Sequence, residues 1–434
     1  MTDTATDNRR RKKRLVICMD GTWQNLAWQA IPEESDDVTK RPPDRRTNVS
    51  KIAQLTLPHA SDGTAQLVFY SPGVGARTYS EQDKEMHYAG ATGKGADENI
   101  IAAYMFLSFN YEPGDEIYLF GFSRGAFCVR SLGGLISRCG IIKRSQTQYV
   151  RNAIELYRRP LSDSSDNDAA RFRKQFSVAP VVGQDGCPMD APGAISIAYI
   201  GVFDTVVMNK RFHEYFTGQS KATSFHDLKL GKHVRAARHA MAFDERRKTL
   251  PVTPWSNLRD FCAKAGFKAT DPEAPYQQKF FAGAHGDCGG GEDRLLSAVS
   301  RKWILRGACK MGLELDEKMQ VDGTPDAPEF LNGQIEKFEG GALSILGYRD
   351  RICYPETPDP NAPPRMFAMF GPRPPEATVE ALDEFVHVSA VMRMRAARDP
   401  RYAPKAAKPF QRILTSPDPV YEQWLKERSE ALWK

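Results

Sequence analysis

The chain has no apolar run near the roughly 20 residues that a membrane-spanning helix needs. It also has no C-x-x-C pair among its eight cysteines, which argues against a clustered zinc site and a thioredoxin-like redox motif. Several of those cysteines sit inside apolar segments, as expected of reduced, buried thiols in a protein made in a cytosol. Arg9 to Arg14 carries six of the 60 basic residues, and the remaining 54 face 54 acidic ones. The body is therefore balanced in charge, and nothing in the composition points to a nucleic-acid partner. Only a handful of apolar residues follow the basic run before Asp20, so no Sec signal peptide is expected. The expected location is cytoplasmic, with a non-Sec route as the way out of the cell and peripheral contact as the mode of membrane binding. The basic run itself reads either as a solvated tail or as a segment attracted to anionic headgroups.

With 434 residues, 41% of them hydrophobic and 26% charged, the chain resembles an ordinary globular protein able to bury a large core. Short apolar segments alternate with amphipathic ones. Arg14–Met19, Ala65–Tyr70, the stretch DEIYLF, AISIAYIGVF and QQKFFAGA read as strands. NVSKIAQLTLP reads as a helix capped by Asn48, and ADENIIAAYMFLSFNY places Ile100, Ala103, Tyr104, Leu107 and Tyr111 on one helical face. A helix is expected from the elbow to about Leu135, another around Arg235 to Met241, and an amphipathic one through DRLLSAVSRKWILRGACKMGL. Strands alternating with helices imply a mostly parallel central sheet with helices on both faces. The expected division is a basic tail over 1–13, a catalytic domain over 14–350, a proline-rich loop or linker over 351–378, and a helical extension over 379–434 that packs on the catalytic domain. Within it, ALDEFVHVSAVMRMRAARDPRYAP is expected to be helical at first and then irregular.

The strand EIYLF runs into Gly121-Phe122-Ser123-Arg124-Gly125 and then at once into a helix. This is the order of a nucleophile elbow in an α/β-hydrolase-like fold, although Gly-x-Ser-x-Gly alone also occurs as a plain turn. A nucleophilic serine needs a base and a carboxylate that orients the base. In such a fold these follow in the order Ser, Asp, His at later strand ends. Asp204 follows the strand AISIAYIGVF, with Asp244 in AFDERR as its rival and a helix cap as its structural alternative. His285 follows QQKFFAGA, with His239 and His387 as rivals. The backbone N–H of Arg124 is the expected first oxyanion donor, and Gly21 or Thr22 in DGTW the second. Asp20, Asp287 and Arg246 are expected near the substrate. Asp20 with Asp287 offers oxygen ligands, yet no metal-loop spacing surrounds them, and no metal or cofactor is expected.

Taken together, MDGTWQN, NVSKI, YSPGVGA, YEPGDEIYLFGFSRGAF, GVFDTV, AFDERR and FAGAHGDCGGG resemble, in order, the α/β-hydrolase family that includes the phospholipase effectors of the bacterial type VI secretion system. EFVHVSAVMR and RYAP are similar to its C-terminal signature. The resemblance implies a Ser-Asp-His lipase or esterase whose nucleophile, acid and base fall on Ser123, Asp204 and His285. It implies a lipid or small ester substrate, foremost a phospholipid acyl ester. A soluble carboxylesterase or thioesterase, and a non-catalytic binding protein of the same fold, are the alternatives. One departure lies beside the base: relatives usually carry His-Ser-Asp-Val-Gly-Gly where this chain has His285-Gly286-Asp287-Cys288-Gly289-Gly290.

Overall fold

Six parallel strands form one sheet in the order β2-β1-β3-β4-β5-β6. The computed structural model describes residues 12–21, 46–73, 96–206, 229–248, 250–291, 294–316, 378–396, 407, 410–415 and 418–432. In chain order the elements are β1 (Lys13–Met19), α1 (Asn48–Leu55), β2 (Ala65–Ser71), α2 (Ala96–Asn110), β3 (Glu116–Phe122) and α3 (Arg124–Cys139). They continue as α4 (Val150–Arg158), α5 (Asp163–Phe176), β4 (Ile197–Phe203), β5 (Ala237–Ala242), α6 (Leu258–Lys264), β6 (Tyr276–Phe281), α7 (His285–Gly289) and α8 (Arg294–Lys310). The last are α9 (Val379–Phe385), α10 (Val388–Arg395), α11 (Gln411–Thr415) and α12 (Pro419–Leu432). Of the expected basic tail over 1–13, Lys13 opens β1 and residues 1–11 lie outside the described residues, as do the glycine turn after Gly73 and residues 351–377 of the proline-rich segment.

A parallel strand covered on both faces has no solvent side, so its sequence reads as a continuous apolar run. In β1, Leu15, Ile17 and Met19 enter one core with α2 and α3, while Val16 and Cys18 enter a second core on the opposite face with residues of α1 and α8. The helical face expected of Ile100, Ala103, Tyr104, Leu107 and Tyr111 is buried in the first core. Chain progression turns at β1: β2 lies on one side of it, and β3 to β6 follow on the other. Strand ends on either side of such a reversal open a crevice at the carboxyl edge of the sheet. Asp20 and Ser123, the residues that follow β1 and β3, stand there. This is an α/β-hydrolase-like sheet.

Three expectations change. The helix expected around Arg235 to Met241 is not there: Ala237–Ala242 form β5, hydrogen-bonded between β4 and β6. Its run ARHAMA favours a helix by propensity, but the slot between two strands buries all six residues, and alanines let layers approach on both faces. Two of its polar side chains are held there by hydrogen bonds: Arg238 Nη1 donates to the Trp303 carbonyl at 2.6 Å and His239 Nε2 accepts the Thr205 N–H at 3.1 Å. The cap of α1 is Thr47, whose Oγ1 accepts the Ser50 N–H at 3.1 Å. Asn48 instead points inward, its amide donating to the carbonyls of Cys288 at 3.0 Å and Ser297 at 2.9 Å. Residues 379–395 form two short helices, α9 and α10, because Val386 breaks the run to pair with Phe280 at the edge strand β6. There the His387 N–H donates to the Phe280 carbonyl at 2.9 Å, and its ring stacks on Phe281 at 4.2 Å.

Candidate active site

The elbow between β3 and α3 is built by close approach. A β-carbon on Gly125 would lie 2.1 Å from the Met19 carbonyl oxygen, and one on Gly121 would lie 2.6 Å from the Ala126 Cα. With no side chain at either place, α3 starts directly over the end of β1, and the turn forces Ser123 to φ 56°, ψ −119°. A non-glycine residue in that region costs about 1–3 kcal/mol. The strain directs the Ser123 hydroxyl out of the sheet toward His285, whose Nε2 lies 2.8 Å from Oγ.

His285 opens α7 just beyond β6. Its Nδ1 is 2.6 Å from Asp204 Oδ2, and the other Asp204 oxygen accepts the Ala242 N–H at 2.9 Å. Asp204 is fully buried. The Phe122 ring packs 4.7 Å from the imidazole centroid and limits its rotation. With Nδ1–H bonded to the carboxylate, Nε2 is left as an acceptor for the serine hydroxyl. The three groups can therefore pass a proton from Ser123 to His285 while Asp204 stabilises the imidazolium that results.

The rival residues make other contacts. Asp244 Oδ2 accepts the Gly283 N–H at 2.7 Å. His239 Nε2 holds the Thr205 amide. His387 is buried against Phe281, and burial, with the Lys279 and Arg238 charges, keeps its pKa well below the ordinary imidazole range.

The Arg124 amide belongs to the first turn of α3, where N–H groups have no acceptor inside the helix. The Arg124 guanidinium is half-buried, and desolvation pushes its pKa down to about 10. The Gly21 N–H donates to its neighbour Asp20 Oδ1 at 2.8 Å, so that amide is occupied in this conformation. Thr22 lies outside the described residues. Asp20 is buried, its Oδ2 accepting from Thr47 Oγ1 at 2.8 Å and Tyr70 Oη at 2.7 Å, and burial raises its pKa to about 6. Asp287 Oδ2 accepts the Ala284 N–H at 2.9 Å, and Arg246 is exposed. Both acidic groups expected near the substrate thus brace loops beside the crevice.

One residue escaped the sequence reading. Glu245, next to Asp244, is fully buried, and its Oε2 accepts the His285 backbone N–H at 3.2 Å. The available signal was two adjacent acids directly after an apolar segment, a costly place for either unless each is bonded.

The sheet and the elbow define a hydrolase fold of the lipase and esterase type. Residues 13–307 match the family model described as the type VI secretion system phospholipase effector Tle1-like catalytic domain, and the chain belongs to that family. An uncharacterised protein of Saccharomyces cerevisiae is 28% identical over 262 residues, 56% of this chain and 33% of that protein. The solved structure of the Tle1 effector bound to the VgrG spike is 18% identical, covers 64% of this chain and 51% of that one, and superposes with a TM-score of 0.31. A thermophilic esterase of Thermogutta terrifontis is 13% identical over 69% of this chain and 80% of its own, with a TM-score of 0.32. The chain thus spans 33% of the length of the yeast relative and 51% of the effector chain. Among the described residues, no helix is long and apolar enough to cross a membrane.

Proposed function

We propose that the protein is a serine acyl hydrolase that cleaves carboxylic esters, with Ser123 as nucleophile, His285 as general base and Asp204 as the acid that orients it. The observation that carries this reading is the pair of contacts from one imidazole, 2.8 Å to Ser123 Oγ and 2.6 Å to Asp204 Oδ2. His285 Nε2 takes the hydroxyl proton as Oγ attacks the ester carbonyl, and the resulting oxyanion is held by the Arg124 amide. His285 then gives the proton to the leaving alcohol. Water repeats the sequence on the acyl-enzyme and regenerates Ser123.

The substrate is a phospholipid acyl ester met at a membrane surface. Family membership supports this class, and Arg9 to Lys12 adds attraction to anionic headgroups worth about 1 kcal/mol per basic residue near the surface, whereas Lys13 and Arg14 of the same run belong to β1 and pair with Asp115 and Glu116.

Purified protein should be assayed on anionic vesicles, zwitterionic vesicles and a short soluble ester, at low and high salt, with Ser123→Ala as control. Faster turnover of anionic vesicles, weakened by salt, is the expected result. A soluble ester that is always the better substrate, with no effect of vesicle composition, replaces the phospholipase reading with a soluble carboxylesterase.

A further inference from the structure

Three consecutive backbone N–H groups lead into His285, and each is held by a different carboxylate. Gly283 N–H donates to Asp244 Oδ2 at 2.7 Å, Ala284 N–H to Asp287 Oδ2 at 2.9 Å, and His285 N–H to Glu245 Oε2 at 3.2 Å. Gly283 takes φ +110°, a region closed to most side chains, so the chain turns sharply before the histidine and cannot continue β6. A turn of this kind exposes its amides. Here they face acids placed on the neighbouring strand end and within α7 itself.

Glu245 differs from the other two. It holds the amide of His285 itself, it is fully buried, and it is fixed in turn by Arg247. The Arg247 backbone N–H donates to Glu245 Oε1 at 2.7 Å, and its guanidinium donates to Oε1 at 2.9 Å and to Oε2 at 2.8 Å. A fork of this geometry immobilises a carboxylate more firmly than a single contact does. Arg247 remains partly exposed, so its charge meets solvent while the acid it holds does not.

We infer that Glu245 is a positioning residue for the hydrolytic reaction: clamped by Arg247, it fixes the backbone of His285 and so sets where the imidazole meets Ser123 and Asp204. This rests on the reading of His285 as the base. The imidazole must reach two partners in opposite directions, at 2.6 and 2.8 Å, and Phe122 restrains the ring but not the Cα that carries it. Displacement of a reacting group by about 1 Å costs on the order of 100-fold in rate. Substrate affinity does not depend on the clamp, so the loss belongs in kcat.

The test uses the full chain, a short soluble nitrophenyl ester and a fluorophosphonate probe on wild type, Glu245→Leu, Glu245→Gln, Arg247→Met and His285→Gln, with thermal melts on each. Glu245→Leu is expected to lower kcat and the probe-labelling rate about 100-fold with KM within about twofold. Glu245→Gln retains a carbonyl oxygen for the His285 N–H and is expected to recover most of that loss. Arg247→Met leaves every backbone bond of the histidine turn in place and is expected to lower kcat about tenfold. Wild-type kcat in a folded Glu245→Leu protein overturns the inference, as does a Glu245→Gln protein no better than Glu245→Leu. Should Glu245→Leu not fold, Arg247→Met decides: unchanged kcat there overturns the clamp. Full activity in His285→Gln overturns the reading of His285 as base, whereas an inactive His285→Gln beside an unimpaired Glu245→Leu removes the clamp alone.

Discussion

Ser123 and Asp204 are joined through His285, and the Ser123 backbone also bonds to residues on either side of Asp204. The Ser123 N–H donates to the Phe203 carbonyl at 3.0 Å, and the Ser123 carbonyl accepts from Val206 N–H at 3.3 Å. Both residues take positive φ, 56° and 40°, at the ends of the adjacent strands β3 and β4. Two strained turns side by side hold each other, and the hydroxyl and the carboxylate share one rigid support.

Replacing Ser123 by glycine removes the hydroxyl and also the clash behind φ 56°. Relief of about 1–3 kcal/mol outweighs the added freedom of an unfolded glycine, about 0.4–1 kcal/mol. Ser123→Gly is expected to lose all fluorophosphonate labelling and to gain about 1 kcal/mol of stability in chemical denaturation. Lower stability in that variant counts against a strained elbow.

Asp204→Asn leaves the Ala242 N–H an acceptor but presents the wrong partner to His285 Nδ1, and is expected to lower kcat by about four orders of magnitude. Asp244→Asn keeps a carbonyl oxygen for the Gly283 N–H, so its labelling should stay within a few-fold of wild type. The reverse pattern, measured by burst and steady-state kinetics, makes Asp244 the acid.

Two glycines of one helix should respond with opposite signs. A β-carbon at Gly125 meets backbone oxygen at 2.1 Å, so Gly125→Ala is expected to cost about 3 kcal/mol or more and to abolish activity. At Gly133 the nearest atoms, on Ile197 and Ile200, lie 3.6 Å away, an ordinary contact. Gly133→Ala should therefore stabilise the protein by about 0.5–1 kcal/mol through helix propensity, with hydrolysis unchanged. Melting curves of the two variants decide.

The pH dependence of stability has a contribution from Asp20. Burial raises its folded-state pKa to about 6, above the ordinary carboxylate value, despite hydrogen bonds from Tyr70, Thr47 and Gly21 that favour the charge. The folded state therefore binds the proton more tightly, and the stabilisation this brings is complete below the unfolded pKa and is lost as pH rises through about 6. Asp20→Asn, which cannot ionise, should gain stability relative to wild type by about 2 kcal/mol between pH 4 and pH 7. A difference independent of pH, measured by denaturant titration, rules this out.

The strand-turn-helix around Ser123 was legible because its cause is local: an apolar run, glycines at the two offsets where a β-carbon would collide, and a helix after them. Asp204 and His285 were legible as ends of apolar strands. β5 was not, because alanine-rich ARHAMA favours a helix and becomes a strand only between β4 and β6. Asn48 read as a cap, yet its partners, Cys288 and Ser297, are some 240 residues away in the chain.

The sequence alone determined the strand ends on which a nucleophile, an acid and a base can stand, since burial on both sides of a parallel sheet writes itself as apolar runs and sharp turns demand glycine. Only the tertiary structure decided which carboxylate meets the imidazole and which ones hold its backbone. Asp204, Asp244 and Glu245 all follow apolar strands, and their separate partners depend on hydrogen-bond distances of 2.6 to 3.2 Å. Those distances arise from the placing of β4, β5 and β6 side by side, which no spacing along the chain records.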